Sequence, residues 1–265
     1  DEIVYGKCSM LEKMSGQTEE EKFASYRAFL GYMMSHPGKK LLFMGQDFGQ
    51  FIEWDEKKPL DWMLLGYDKH RELQSYVRDL NHFYRETASL WQVDYSWEGF
   101  QRIVPDDNKQ SVIAFLRRDA KGKMLLVVCN FNPVLRESYS MGVPNPGTYK
   151  ELINSDDVKY GGAGVKNGSV KSVKGPMHGF DQHIEVTLPP LSTIYFSVPA
   201  ARKKAGKPAK AETAEAAKPE KAAKPAATKT AAPKKRAAKP VATKPAAKKP
   251  RAAKTTKPKT PVTES

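Results

Sequence analysis

His36-Pro37-Gly38-Lys39-Lys40-Leu41-Leu42-Phe43-Met44-Gly45-Gln46-Asp47-Phe48-Gly49-Gln50 reads as a helix stop, a buried strand and a polar loop where that strand ends. Pro37 cannot continue a helix, and Gly38 is free to turn left-handed. Lys40 to Met44 is a short apolar run without alternation, which suits a strand covered on both faces, as in a parallel sheet. Gly45 then allows a sharp turn at the strand's carboxyl end, where α/β barrels and open α/β sheets keep their chemistry. Any core strand followed by a turn fits the same letters.

Upstream, Thr18-Glu19-Glu20-Glu21 forms a capping box, and three acids in a first turn suit the helix dipole. Phe23, Tyr26, Leu30 and Met33 follow at spacings of three and four, so Glu19 to Ser35 is predicted as an amphipathic helix. Downstream, Glu53-Trp54 and Asp61-Trp62 place an acid beside Trp twice within ten residues. A Trp face stacks on sugar rings and a carboxylate accepts hydroxyl hydrogen bonds. The plainer reading packs both Trp under the loop and pairs the acids with Lys57, Lys58 or Arg71. Residues 68 to 90 form a second predicted helix with Leu73, Val77, Leu80 and Tyr84 on its stripe, and with Arg78 and Asp79 on a solvated face.

Near Ser96 the pattern changes. Residues 101–104, 111–117, 123–131, 138–143, 148–154, 183–188 and 193–198 read as short strands between turn signals such as Asp106-Asp107-Asn108 and Asn145-Pro146-Gly147. This predicts an antiparallel β-sandwich. His178 and His183 have no Cys or His partners spaced for zinc and read as structural or incidental.

Charge divides the chain. Ala201–Ser265 holds 20 Lys and Arg against 4 Glu, a net of +16, so a whole-chain charge of +14 leaves residues 1–200 at −2. Every aromatic residue lies in that near-neutral body, which can therefore bury a core. The Lys/Ala/Pro-rich tail cannot, and is expected to be disordered. Its cations suit non-specific polyanion contact, but no aromatic side chain is present there to stack on bases. Cys8 and Cys129 are too few for a disulfide framework, and Cys129, in an apolar run, reads as a reduced core residue. No stretch approaches a membrane span or a signal peptide, so the default location is the cytoplasm. The chain opens at Asp1 without Met and is read as a piece of a longer protein.

HPGKKLLFMGQDFGQ, then Glu53-Trp54, then Leu60-Asp61-Trp62, a helix, and an antiparallel domain ending in LPPLSTIYF at residues 188–196 resemble the C-terminal part of the 1,4-alpha-glucan (glycogen) branching enzymes of the alpha-amylase clan. The resemblance runs from Asp1 to about Val198. It implies a (β/α)8 barrel end and connecting helix over residues 1–95, an all-β sandwich over 96–199, and a tail over 200–265 outside the family. It also implies retaining transfer of an α-1,4-glucan segment to an α-1,6 branch, with glycogen or amylose as partner and neither cofactor nor metal. The reaction uses an Asp nucleophile, a Glu acid/base and a second Asp that holds the distorted sugar. Asp1-Glu2-Ile3-Val4-Tyr5-Gly6-Lys7 matches the motif of that second Asp, which places Asp1 in its role. No other Asp or Glu lies in a matching motif, so the chain alone is expected to be inactive. Asp47 stands where the family more usually has Glu, and is taken with Trp54 and Trp62 as substrate-lining. The alternative function is nucleic-acid or polyanion binding through the tail. A further reading has the body only binding glucan, through the two Trp and the sandwich surface. Residues 97–198 are expected to fold alone and residues 1–60 to be poorly ordered without the remaining barrel.

Overall fold

In the computed structural model, which describes Gly6 and residues 8–201 (only the backbone of 105 and 106), the first regular element is α1, Glu19–Ser35. Its start follows the sequence. The Glu21 N–H donates to Thr18 Oγ1 at 3.2 Å, while the Glu21 carboxylate returns to the Gln17 N–H at 2.6 Å, one residue before the cap. α1 stops at Ser35, the His36 N–H closes on Tyr32 O, and Gly38 takes φ +107°. The helix is covered over a wide arc, with Phe23, Tyr26, Leu30 and Met34 buried and Met33 only partly so.

The strand expected at Lys40 to Met44 does not form. The segment is irregular, Leu41 is 72% exposed and Met44 48%. A parallel strand needs neighbours to take its N–H and C=O groups, and among the described residues no strand pairs with this one. The turn after it is as expected: Gly45 has φ +76°, and a Cβ there would lie 2.8 Å from that of Gln50. The second helix, α2, covers Asp68–Glu86, with a 3₁₀ turn at Ala88–Leu90 completing the predicted span. Asp79 corrects the reading of a plain solvated face. Its Oδ2 accepts from the Tyr160 hydroxyl at 2.8 Å and from Lys159 at 3.1 Å, which ties α2 to a loop of the β region.

Nine strands follow among the described residues: β1 Phe100–Asp107, β2 Val112–Arg118, β3 Met124–Asn130, β4 Arg136–Val143, β5 Thr148–Asn154, β6 Ser169–Lys171, β7 Val173–Met177, β8 Phe180–Leu188 and β9 Ser192–Ser197. Seven match the predicted strands. β6 and β7 are additional, because their Gly- and Lys-rich, mostly exposed residues carry no apolar alternation to read. All pairings are antiparallel, in a six-stranded sheet β1-β2-β3-β9-β5-β6 and a three-stranded sheet β4-β8-β7.

The larger sheet is buried on both sides. Ala114, Leu116, Leu126, Val128, Ile194 and Phe196 pack toward Met141, Ile184 and Val186 of the smaller sheet. Phe115, Leu125, Val127, Cys129 and Tyr195 point the other way, into one core with Phe23, Tyr26 and Leu30 of α1 and Leu73, Tyr76 and Leu80 of α2. This packing bears on the expectation that residues 97–198 fold alone while residues 1–60 stay loose, because the two segments share a core. Over the described part of that segment, α1 is the cover of a large apolar sheet face, and burial of that face stabilises both partners. Gly31 makes the fit close: a Cβ there would sit 2.6 Å from Tyr76 Oη and 2.9 Å from Thr193 Cβ. Cys129 is buried and unpaired, as read. The two histidines bond to backbone, His178 Nδ1 accepting from the Gly142 N–H at 3.2 Å and His183 Nδ1 lying 3.3 Å from Gly175 O. The expectations for the tail lie outside the described residues.

Candidate functional site

Residues 39–62 carry the residues singled out for substrate. Their irregular backbone is held from inside by Gln50, whose Oε1 accepts from the Asp61 N–H at 2.9 Å and whose Nε2 donates to Ile52 O at 3.2 Å. The Tyr26 hydroxyl donates to Gln46 O at 2.8 Å, and His70 Nδ1, donating to Phe48 O at 2.7 Å, fixes the other end of the turn. Burial, aided by the nearby Asp47 carboxylate, pushes the Tyr26 phenol well above its usual range, so it stays a donor.

The structure does not gather the three substrate-lining residues. Trp54 is half-buried, packs edge-on against Phe43 at 5.2 Å, and lines a cavity with Tyr26, Gly45, Gln46 and Glu53. Asp47 faces a separate groove along α2, where Gln74 Nε2 donates to it at 3.2 Å beside Arg78, His82 and Arg85. Trp62 rests 5.2 Å from the Phe48 ring and is 56% exposed. The acids beside the Trp residues have mixed partners: Glu53 accepts from the Gly6 N–H, and it is Asp55 that pairs with Lys58 at 3.4 Å. Asp1 lies outside the described residues.

The anchor of the loop was not legible beforehand. Arg117 of β2 is fully buried and donates to Ser35 O at 2.6 Å, Leu90 O at 3.1 Å, Gly99 O at 3.3 Å and the Asp94 carboxylate at 2.7 Å. The other Asp94 oxygen accepts from the Gly38 N–H at 3.0 Å. One guanidinium thus closes the carboxyl end of α1 and fixes the start of the loop. The available signal was an arginine inside the apolar run of β2, a position rarely filled by a charge without a partner. Lys40 approaches this pair, lies 5.5 Å over the Tyr84 ring and bonds His36 O. Burial first, and then Arg117, lower its amine to about 8, with Asp94 opposing. Among the described residues no three His, Cys, Asp or Glu side chains gather in a group that could hold a metal. No helix there is long and apolar enough to cross a membrane.

The family described as alpha amylase, C-terminal all-beta domain, matches residues 103–199. The 1,4-alpha-glucan branching enzyme of Halothermothrix orenii is 51% identical over 198 residues, which is 74% of this chain and 31% of that protein. Over 74% of its length this chain is therefore similar to the 1,4-alpha-glucan branching enzymes. The branching enzyme of Aquifex aeolicus is 50% identical over 197 residues, with the same shares of each chain. The chain thus spans about a third of the length of the branching enzymes it matches. Among solved structures, a debranching enzyme from Nostoc punctiforme aligns over 68% of this chain and 32% of its own, with a TM-score of 0.46 and 14% identity. The two-sheet sandwich, beginning at Phe100, coincides with the matched all-beta domain.

Proposed function

We propose that the chain takes part in 1,4-alpha-glucan branching, in which an α-1,4-glucan segment is cut and rejoined through an α-1,6 bond with retention. The observation that carries this reading is the 51% identity to a branching enzyme across the whole body of the chain. In this reading Asp1 holds the distorted sugar in the transition state. An Asp nucleophile and a Glu acid/base act with it from other strands of a (β/α)8 barrel, whose last part is residues 1–95. Trp54 offers a face to a glucose ring, while Trp62 and Asp47 meet substrate on separate surfaces of the same stretch. The exposure of Leu41, Met44, Ile52 and Met63 supports the barrel assignment, since four large apolar side chains on one stretch suit a face that packs on further elements. The work is placed in the cytoplasm and needs no cofactor, and the cationic tail adds non-specific polyanion contact beside it. A salt-sensitive DNA mobility shift that is lost on truncation at Pro199 is the check on the tail.

The central test replaces the corresponding final part of the Halothermothrix orenii enzyme with residues 1–198 and scores new α-1,6 linkages in amylose. The chimera is expected to branch. Asp1→Asn is expected to slow it about 10²–10³-fold, the usual loss on removing one transition-state stabiliser. A folded chimera that forms no α-1,6 linkage, or one indifferent to Asp1→Asn, overturns the reading. The present chain alone is expected to form none.

A further inference from the structure

The half-buried Glu53 carboxylate reaches back toward the start of the chain. Both of its oxygens accept from the Gly6 N–H, at 2.7 Å and 2.6 Å, across 47 residues of sequence. A bond from an N–H to an ionised carboxylate is among the stronger hydrogen bonds a side chain makes. Glu53 is itself held on both sides. Gln50 Nε2 donates to Ile52 O just before it, and Trp54 just after it packs edge-on against Phe43.

The segment it grips follows a path that ordinary residues avoid. Gly6 has φ +78° and Cys8 φ +70°. A Cβ at Gly6 would meet nothing within 4 Å, so glycine serves the turn there and not a lack of space. A left-handed cysteine is uncommon and persists where its surroundings hold it. Glu53 supplies that hold at Gly6, and Cys8 itself lines the cavity that also has Tyr26, Gly45, Glu53 and Trp54 in its wall.

We propose that Glu53 is a positioning residue for Asp1: by clamping the Gly6 N–H it sets where the Asp1 carboxylate meets the sugar. The role of Asp1 rests on the branching reading above. Asp1 precedes Gly6 by five residues, a span of at most about 18 Å, so a shift of Gly6 is passed on over a short length of chain. Misplacing a catalytic group by about 1 Å costs about 10²-fold in rate. Glu53 need not touch substrate to act in this way, which separates it from a carboxylate that binds glucose hydroxyls.

The test has two arms. In the full chain, amide hydrogen exchange at Gly6 is expected to quicken in Glu53→Ala. In the branching chimera, Glu53→Ala is expected to lower kcat about 10–10²-fold with KM little changed. Glu53→Gln keeps an acceptor for the N–H and is expected to recover part of that rate. Added to Asp1→Asn, Glu53→Ala is expected to cost almost nothing further, since residues that act as one unit are not additive. An unchanged kcat, an equal loss with and without Asp1, a loss in KM alone, or unchanged exchange at Gly6 overturns the proposal. Should Glu53→Ala fail to fold, Glu53→Gln carries the same comparisons, with a smaller loss that again disappears in Asp1→Asn. A folded chimera that forms no α-1,6 linkage removes the branching reading and the role of Asp1 with it; branching that is indifferent to Glu53 removes the positioning role alone.

Discussion

The two faces of the six-stranded sheet are buried by different chemistry. Toward the smaller sheet the contact is mainly aliphatic, Leu126, Val128 and Ile194 against Met141, Ile184 and Val186. Toward the helices the same strands present hydrogen-bonding side chains aimed at helix carbonyls. The Tyr195 hydroxyl donates to Gly31 O at 2.6 Å, Thr193 Oγ1 to Ala28 O at 2.8 Å, and Arg117 to Ser35 O. Arg27 returns the contact from α1, donating to Ser155 O at 2.9 Å. Apolar burial is proportional to area and indifferent to direction, so the sandwich face stabilises without dictating one position. Directed bonds to backbone groups fix where α1 sits, and through Arg117 and Asp94 where the loop after it begins.

The comparison is broken most severely by removing one cover. A chain reduced to residues 97–199 exposes Phe115, Leu125, Val127 and Tyr195 together, and is expected to bind a hydrophobic dye and self-associate. A monomer that melts at the temperature of the whole chain would mean that the helix-facing core stabilises nothing. Next in size, Arg117→Met leaves the Asp94 carboxylate, with only 5% of its side chain exposed, without its cation. Denaturant unfolding is expected to show a loss of about 3–5 kcal/mol, partly recovered on adding Asp94→Asn. Leu126→Ala, on the sandwich face, is expected to cost about 2–5 kcal/mol with no partner substitution that restores it.

Cys129 gives a milder probe of the helix face. Burial pushes its thiol up to about 12, against an ordinary 9. The folded state therefore keeps a proton that the unfolded state loses, and this contribution to stability declines as pH rises from about 9 to 12. A thiol reagent is expected to modify exposed Cys8 quickly and Cys129 only on unfolding. The smallest effect is at the α2 tether. Burial alone would raise the Asp79 carboxyl, but the hydrogen bonds of Tyr160 and Lys159 outweigh it and hold the carboxyl below its usual range. Its contribution is present above the ordinary carboxylate pKa and fades as pH falls through the lowered one. Asp79→Asn is expected to remove that acid dependence from the melting curve at a cost below about 1 kcal/mol, since the pair is partly exposed.

The helices were legible because capping and apolar spacing are local. Thr18 and Pro37 bracket α1, and Leu73, Val77 and Leu80 mark the buried side of α2. The absence of alternation was a true signal for Leu125 to Cys129, which is covered on both faces, and a false one for Leu41 to Met44, which is not. The two runs look alike as letters, and only neighbouring strands and helices distinguish them. Within the candidate site, Asp47, Trp54 and Trp62 stood out by residue type. That they face different directions, and that Arg117 anchors their loop, depends on contacts across many residues of sequence.

Composition and local pattern by themselves determined the near-neutral, core-forming body, the two helices, most of the strands and the branching-enzyme likeness. Those properties depend on residues a few positions apart, or on motif order. Only the tertiary structure decided that both faces of the large sheet are covered, that α1 belongs to the same core as β9, and that Arg117 is buried among the carbonyls of Ser35, Leu90 and Gly99. These are relations between distant segments, and burial and hydrogen bonding act through space, whatever the separation along the chain.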